Sequence, residues 1–576
     1  MTRRTPDHRI NRRQFLGTTA AAAAVAAVGP GALSAKAQEA SPAAGEITSV
    51  VNPDINVAGN LLKAPEPEAK RGGTIRIGGF VEPALYDLDQ SPSIANLYPQ
   101  SPMFDNLIRF NPLDGGQTII PDLAESWEIS DDGLTYTFHL REGVTWHDGT
   151  PLTAADVVAT FDRRRNPPEG VVSIRQTLYT AVTAIEAVDD LTVTFKLSDP
   201  QAFFLEALAT GWSVVLQKAS LDANDGNLAR VPDFPGTGPY MFGEITPGIS
   251  WSVNRNENYW NPELPYLDQI VRIAIPDAND RGSAVLTGDI DFADHVSIGV
   301  FNEALNRPDE IGAQMNPATW AFTVTFNVTK PPFDDARVRR ALHLAIDRRA
   351  LAEAYAQTDN IQVGTRWCHP SSPLATPEEV ILQLPGYRAD KEEDIAEAQR
   401  LLAEAGYEGG NGMPEIIFLL RGTTGAGVEV YGPAFQALMQ QSLGIACTLQ
   451  PVDGAVYFDV VQGGDFNMTS GVPAGAINDP SDYWGQWYKT GGGQNYGSYS
   501  NPEFDDLLTR INREMNLDAR RQLVRQAEDI LDQECPMWFH GWGNIGRLWR
   551  LDVKGIDQAV RGTYLSFRYD TLWLDR

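Results

Sequence analysis

Residues 121–161 read PDLAESWEISDDGLTYTFHLREGVTWHDGTPLTAADVVATF, and no other stretch narrows the fold as much. Leu134, Tyr136, Phe138 and Leu140 alternate with Thr135, Thr137 and His139, a two-residue period that puts the apolar side chains on one face of a strand. Trp127 and Ile129 lead into Asp131-Asp132-Gly133, so a β-hairpin with one buried face is expected. Turns at Glu142-Gly143 and Asp148-Gly149 follow, and Thr153 with Asp156 has the spacing of a capping box at a helix start. This stretch builds structure and carries no reaction centre.

A second hairpin of the same make is expected where Ile185 and Ala187 precede Asp189-Asp190, and Leu191, Val193, Phe195 and Leu197 alternate with polar residues. Further along, residues 320–327 alternate as a strand. Asp334-Asp335 then caps a helix whose Val338, Leu342, Ala345 and Ile346 share one face, with Arg337, Arg339 and Arg340 off that stripe. Asp390 caps a helix that Gly406 ends, and the order strand 415–420, helix 434–443, strand 445–449 predicts a parallel α/β sheet with right-handed crossovers.

A chain of 576 residues is too long for one core, so two or three domains are expected. At its start, Arg12-Arg13 precedes Phe15-Leu16, a mostly alanine run over 18–28 and the A-x-A site Ala35-Lys36-Ala37, which together predict a twin-arginine signal peptide. Removing residues 1–37 leaves 40 basic against 74 acidic residues, a net charge of −34 that argues against nucleic acid or an anionic membrane as partner. Cys368, Cys447 and Cys535 allow one disulfide at most.

Scanning for chemistry gives plain readings. His139 and His147 lack a third ligand at metal spacing, so no metal site and no cofactor is expected. Adjacent Cys368 and His369 do not face each other as nucleophile and base, and Pro370 restricts the backbone of His369. Asp334-Asp335 and Asp505-Asp506 fall at helix starts, where capping explains them. Gly236-Thr237-Gly238 lacks the Lys-Ser/Thr of a phosphate loop and is assigned to positive-φ turns. Loop-borne tryptophans, Trp212, Trp320, Trp367, Trp484, Trp487, Trp538 and Trp542, either plug the core or line a cleft. Asp479, Asp482 and Trp484, in a polar aromatic loop, and Arg421, at the carboxyl end of an apolar strand, are binding candidates.

Residues 121–161, Gly72-Gly73-Thr74-Ile75-Arg76, FDNLIR at 104–109, GTGPY at 236–240, RNENYW at 255–260, PFDDARVRRALHLAIDR at 332–348 and YSNPEFD at 499–505 together resemble the family 5 extracellular solute-binding proteins of ABC importers. The resemblance spans residues 72–574 and implies an α/β, two-lobed periplasmic-binding-protein-like fold of type II with an inserted β-rich third subdomain. The expected division is signal peptide 1–37, flexible spacer 38–70, lobe I 71–115 and 235–312, inserted subdomain 116–234, lobe II 313–547 and a return to lobe I at 548–576.

Function follows from the resemblance: a non-enzymatic, exported, monomeric substrate-binding component that captures a peptide or peptide-like solute between its lobes. It would deliver that solute to a membrane permease driven by a separate ATPase. The same role for an oligosaccharide, opine or metal chelate is the alternative; a chaperone-like or sensory module and a secreted hydrolase are the others. Ligand contacts are expected at Tyr86, Trp212, Trp320, Trp367, Arg421, Asp479, Asp482 and Trp484. Peptide-binding members commonly hold the peptide amine with an aspartate just ahead of an Asp-Pro pair. Here that place is Ala476, so Asp479 or Asp482 substitutes or the ligand lacks a free amine.

Overall fold

A computed structural model describes residues 68–80, 85–91, 93–112, 118–355, 361–421, 430–453, 457–471, 473–556 and 567–576. The signal peptide and nearly all of the expected spacer lie outside the described residues. The hairpin read from the sequence is the strand pair Ala124–Ile129 and Thr135–Leu140, joined by Thr192–Leu197 and Val182–Asp189 into a four-stranded antiparallel sheet. Tyr136, Phe138, Val193 and Phe195 bury the alternating face against the helix Ala154–Arg165. Asp156 reaches back to the Thr153 amide at 2.9 Å to start that helix.

Everything else hangs on one large sheet. Its order is Thr448–Val452, Ile417–Arg421, Met468–Gly471, Ile311–Phe326, Met537–Arg550, Phe292–Val296, Thr74–Gly79, Gln269–Ala274, Ser250–Arg255 and Tyr240–Thr246. Two members are long, at 16 and 14 residues: Ile311–Phe326 and Met537–Arg550 run antiparallel and pass from one lobe into the other. Their register runs Ile311 with Arg550 to Thr325 with Met537 and breaks between Pro317 and Ala321. On the lobe I side the neighbour is Phe292–Val296, itself bulged between Ala293 and Val296. His295 sits in that bulge at φ 53° and stacks on Trp320 of the other irregularity, centroids 5.6 Å apart. Gly543 lies opposite, where an added Cβ would meet the Trp320 ring nitrogen at 2.7 Å.

In lobe II the strands Ile417–Arg421, Thr448–Val452 and Met468–Gly471 are parallel, as the strand and helix order predicted. Helices Ala336–Ala345 and Gly432–Leu443 bury Val338, Leu342 and Phe435 on one side of the sheet. Pro502–Arg513 and Leu517–Glu534 cover the other side with Phe504, Val524 and Leu531.

Several local expectations need correction. The strand expected at 320–327 begins nine residues earlier, at Ile311, and the one expected at 445–449 is Thr448–Val452, because Gly444 and Ile445 still serve the preceding helix end. Arg339 is buried, donating to the carbonyls of Phe333 and Glu534 at 2.6 and 2.8 Å. Gly236 and Gly238 are small for close approach and not for positive φ: a Cβ would fall 1.8 Å from the Met103 carbonyl oxygen and 2.4 Å from the Phe104 nitrogen. Asn501, not Asp505, caps the helix Pro502–Arg513, and Asp505 instead accepts from the Thr490 amide at 3.0 Å. Cys368, Cys447 and Cys535 are free thiols.

The carboxyl-terminal segment packs into the lobe I core: Phe567, Tyr569, Leu572 and Leu574 sit with Ile75, Ile77 and Trp251. Between them, Arg568 Nη1 lies 2.7 Å from Asp105 and 2.8 Å from Asp122, all three buried. Burial pushes the Asp105 carboxyl up to about 6, whereas Arg568 holds Asp122 below its usual range despite burial. Removing the cation leaves two buried carboxylates uncompensated. Arg568→Met is therefore expected to cost about 3–5 kcal/mol in urea unfolding, and a cost under about 1 kcal/mol would show the cluster to be dispensable.

The two lobes also touch away from the strand pair. Ala202 N donates to Asn512 O at 2.9 Å, Arg513 pairs with Asp199 at 3.0 Å, and Ile477 of lobe II is buried in the core of the inserted sheet. At this seam Glu206 is buried beside the Asp479–Arg520 pair, which is 2.7 Å long. Burial, then Asp479, pushes the Glu206 carboxyl up to about 8. The folded chain thus holds a proton that an unfolded glutamate releases near 4.5, so this group's contribution to stability falls as pH rises from about 4.5 to about 8. Glu206→Gln is expected to melt a few degrees above the wild type at pH 8.5 and level with it at pH 4.5, measured by thermal unfolding at both pH values.

Candidate functional site: a cavity between the lobes

A cavity of about 780 Å³ lies between the lobes, within the usual range for a small-molecule site. Its lobe I side is built by the helix Ile94–Gln100, started by Ser93 accepting from the Ala95 amide, which presents Leu97 and Tyr98. Ile174, Arg175 and Trp212 come from the inserted segment, with the Arg175 guanidinium stacked 3.8 Å over the Trp212 ring. The lobe II wall starts where the long strand leaves its irregularity, at Trp320, and continues through Phe322, Thr323 and Thr325. Thr323 and Thr325 pair with Gly471 and Thr469, where a glycine keeps the wall open: a Cβ on Gly471 would meet Thr323 Oγ1 at 2.7 Å.

Aromatic rings fill the rest of that wall. Phe322, Tyr355 and Tyr431 form a cluster with centroids 5.6 to 6.2 Å apart. Tyr457 donates to the Ser470 carbonyl at 2.6 Å, and Arg421 lies 5.9 Å from its ring. Segment 473–476 closes the floor. It is tied to the irregular strand by Ala321 N to Pro473 O at 2.9 Å and Gly475 N to Thr319 O at 3.1 Å, and to lobe I by Thr210 Oγ1 to Ala476 O at 2.7 Å.

Of the eight residues singled out from the sequence, Trp212, Trp320, Arg421 and Asp482 line this cavity, and four do not. Tyr86 is stacked on Trp251, 5.8 Å between centroids, against the lobe I core. Trp367 is buried in lobe II and donates its ring N–H to Asp532 at 2.7 Å. Trp484 is in the same core, its ring against Phe504. Asp479 caps the helix Pro480–Trp487 through the Ser481 amide at 2.9 Å and is paired with Arg520, so its charge is already used. Asp479 and Trp484 are placed by the helix Pro480–Trp487: Asp479 caps it, and Trp484 points into the core one turn before Trp487, which does line the cavity.

Asp482 is buried and accepts from the Ala476 amide and from Gln486 Nε2 at 2.8 Å. Burial raises its carboxyl above the usual range, while those hydrogen bonds pull it down. Sequence reasoning missed Arg175, Tyr98 and Tyr431. Arg175 lies in an irregular stretch after Pro167-Pro168 with no periodicity, and neither tyrosine stands in a motif.

The histidines are structural. His147 is bonded to Gly238 O at 3.0 Å and Gly236 N at 3.1 Å, and burial lowers it to about 4. His369 contacts Ala318 O at 2.9 Å and Ser371 Oγ at 2.7 Å, turned away from any role as a base for Cys368.

The model for the middle region of bacterial extracellular solute-binding proteins, family 5, matches residues 118–495, well over half of the chain. Heme-binding protein A of Haemophilus influenzae is 29% identical over 496 residues, covering 82% of this chain and 86% of that protein. The dipeptide-binding protein of Escherichia coli K12 is 25% identical over 483 residues, covering 79% and 86%. Among solved structures, the Agrobacterium tumefaciens R10 binding protein AgaA, in complex with agropinic acid, superposes with a TM-score of 0.73 at 24% identity over 88% of this chain and 99% of that one. That likeness is to a periplasmic binding protein and agrees with the two lobes and the sheet that joins them. With its family-specific middle region, its two lobes and the cavity they enclose, this chain belongs to family 5 of the bacterial extracellular solute-binding proteins.

Proposed function

We propose that this protein is the substrate-binding component of an ABC importer that captures a peptide or peptide-like solute between its lobes and hands it to a membrane permease driven by a separate ATPase. The observation that carries the reading is the cavity itself: about 780 Å³, walled by both lobes, with its floor hydrogen-bonded to both. A ligand there touches both lobes at once, so it stabilises their contact, which is the state a permease recognises. The edge formed by Thr323, Thr325, Thr469 and Ser470 offers hydroxyls and backbone to an extended chain, and the aromatic walls suit side chains of varied shape. A relative named for binding dipeptides supports a peptide. Ala476 on the floor and a structural neighbour holding agropinic acid favour, as a second reading, an opine-like acid in the same transport role. Neither reading includes a chemical step.

Export by the twin-arginine route and action as a monomer outside the cytoplasm belong to the same proposal, and no helix among the described residues is long and apolar enough to cross a membrane. Changing Arg12 and Arg13 to lysine is expected to leave the protein inside the cell, read by fractionation; unchanged export would remove the twin-arginine assignment.

The ligand class is tested by thermal unfolding of the mature chain against di- to hexapeptides, oligosaccharides and chelated metals. A true ligand at a hundred times its dissociation constant adds about 2.7 kcal/mol to stability. Peptides are expected to raise the melting temperature. Stabilisation by sugars or chelates alone would replace the solute class, and turnover of any panel member would replace the transport reading with a hydrolase.

A further inference from the structure

Away from the solute cavity, the seam between the inserted segment and lobe II buries a carboxyl group that neither side satisfies. Glu206 lies on the short helix Phe204–Ala209, is 4% exposed, and has no hydrogen-bond partner for its Oε2 among the described residues. Ser372, Leu374, Asp479, Glu514 and Arg520, all from lobe II, share with it a void of about 20 Å³, too small to solvate an ion. The seam is held shut on either side of this point by Ala202 N on Asn512 O and by the exposed Asp199–Arg513 pair.

The charges that face Glu206 cannot support a second anion. Arg520 is the only cation among the residues around that void, and its N–H groups are placed on others: Nη1 on Asp479 at 2.7 Å, Nε on the Ile511 carbonyl at 2.8 Å and Nη2 on Ser481 Oγ at 3.3 Å. Asp479 cancels that cation, and Glu514, partly exposed and accepting from the Asn516 amide at 2.8 Å, adds negative charge. The Cys368 thiol, which also feels Asp479 and Arg520, is kept neutral by burial. An ionised carboxylate with no donor, in a dry site beside a completed ion pair, is strongly disfavoured, and a neutral one is not. Burial first and Asp479 second raise Glu206 to about 8 against the pull of Arg520.

We propose that this seam is a proton-operated latch: the lobes close with the Glu206 carboxyl neutral, taking up one proton from solvent, and parting them lets that proton go. This rests on the solute being held between lobes that open and close. The latch is wired to the solute cavity through one turn of chain, because the Glu206 carbonyl accepts from Thr210 N at 3.1 Å, and Thr210 lines the cavity and donates its hydroxyl to Ala476 O on the floor. With the lobes parted, water reaches the carboxyl and it ionises near its ordinary value of 4.5; with them closed it holds its proton up to about 8. Closure is therefore favoured fully below about pH 4.5 and loses up to about tenfold per pH unit between there and about 8. Solute affinity follows closure in the same direction.

The test is calorimetric titration of the mature chain with trialanine at pH 6.5 in two buffers of unlike ionisation enthalpy, which counts the protons taken up on binding. The wild type is expected to take up at least about half a proton per peptide more than Glu206→Gln, a difference from which protons moved by the peptide's own termini cancel. From pH 5.5 to 7.5 its affinity is expected to fall at least about fivefold relative to that of Glu206→Gln, whose amide copies the neutral acid. Arg513→Gln breaks the other seam contact and is expected to weaken binding with the proton count unchanged; loss of the count there would assign the effect to the seam as a whole and overturn the proposal. Equal counts in the wild type and Glu206→Gln would also overturn it and leave the peptide reading intact. Should trialanine bind neither chain, the peptide reading fails by itself, and small-angle X-ray scattering of the solute-free chains decides. The wild-type radius of gyration is expected to grow from pH 5.5 to 8.5 and that of Glu206→Gln to stay level, and identical pH profiles would overturn the proposal.

Discussion

The hydrogen-bonded pairing of Ile311–Phe326 with Met537–Arg550 is the constraint on which the rest of the structure depends. Each lobe owns one end of both strands, so the lobes are neither free bodies on a tether nor a single block. A continuous ladder resists bending, and this one is interrupted only twice, between Pro317 and Ala321 and between Phe322 and Thr323. The first interruption lies beside the bulge at His295, and the stacked His295 and Trp320 rings bridge the two. Bending of one lobe against the other therefore has a natural place, and Trp320, which marks that place, is also a wall of the cavity. The cavity wall and the interlobe geometry meet in one side chain.

Charge is distributed to match. The chain is acidic overall, yet its interior relies on arginines that reach across the sequence: Arg568 to Asp105 and Asp122, Arg366 to Glu528 and Asp532, Arg163 and Arg164 to Asp87 and Asp89. Such pairs add little net stability but penalise any arrangement that separates them, since each would leave a buried charge alone. They fix which segments belong to which lobe, the carboxyl-terminal return included. Arg175 departs from that pattern: it is buried like the others, but its hydrogen bonds go to the backbone carbonyls of Leu88 and Ser91.

How much of this the sequence disclosed depends on how local the cause is. The hairpin at 124–140 and the helix Ala336–Ala345 were readable because one face of each is wet, which writes a period into the residues. The first half of Ile311–Phe326, IGAQMNPAT, mixes Gly, Gln, Asn, Pro and Thr with few apolar residues and is mostly half-buried, so it writes no two-residue period and passed unread until Trp320. Gly236 and Gly238 look like turn glycines, but the backbone they make room for, at Met103 and Phe104, is far earlier in the chain. Asp479, Trp484 and Trp367 carry the right chemistry for a cleft, and only the direction of a helix and the position of Arg520 show that they serve the core. Arg175 is the converse: its surroundings in sequence say nothing, and its meaning comes from Leu88, Ser91 and Trp212, none of them near it in the chain.

Segment 473–479 shows why recognition and closure are not separable here. Pro473 and Gly475 are bonded to the irregular part of the long strand, Ala476 receives the Thr210 hydroxyl from lobe I, Ile477 is buried in the inserted sheet, and Asp479 caps the helix that carries Asp482 and Trp487. A solute that moved this segment by even a fraction of an ångström would disturb the hinge, the seam and the cavity wall at once. Such a segment tolerates few arrangements, so the solute has to fit the closed geometry and not merely the open half-site. An aspartate at position 476 would add a carboxylate within reach of Asp482, in a floor already tied to both lobes. With alanine there, the floor adds no second carboxylate beside Asp482.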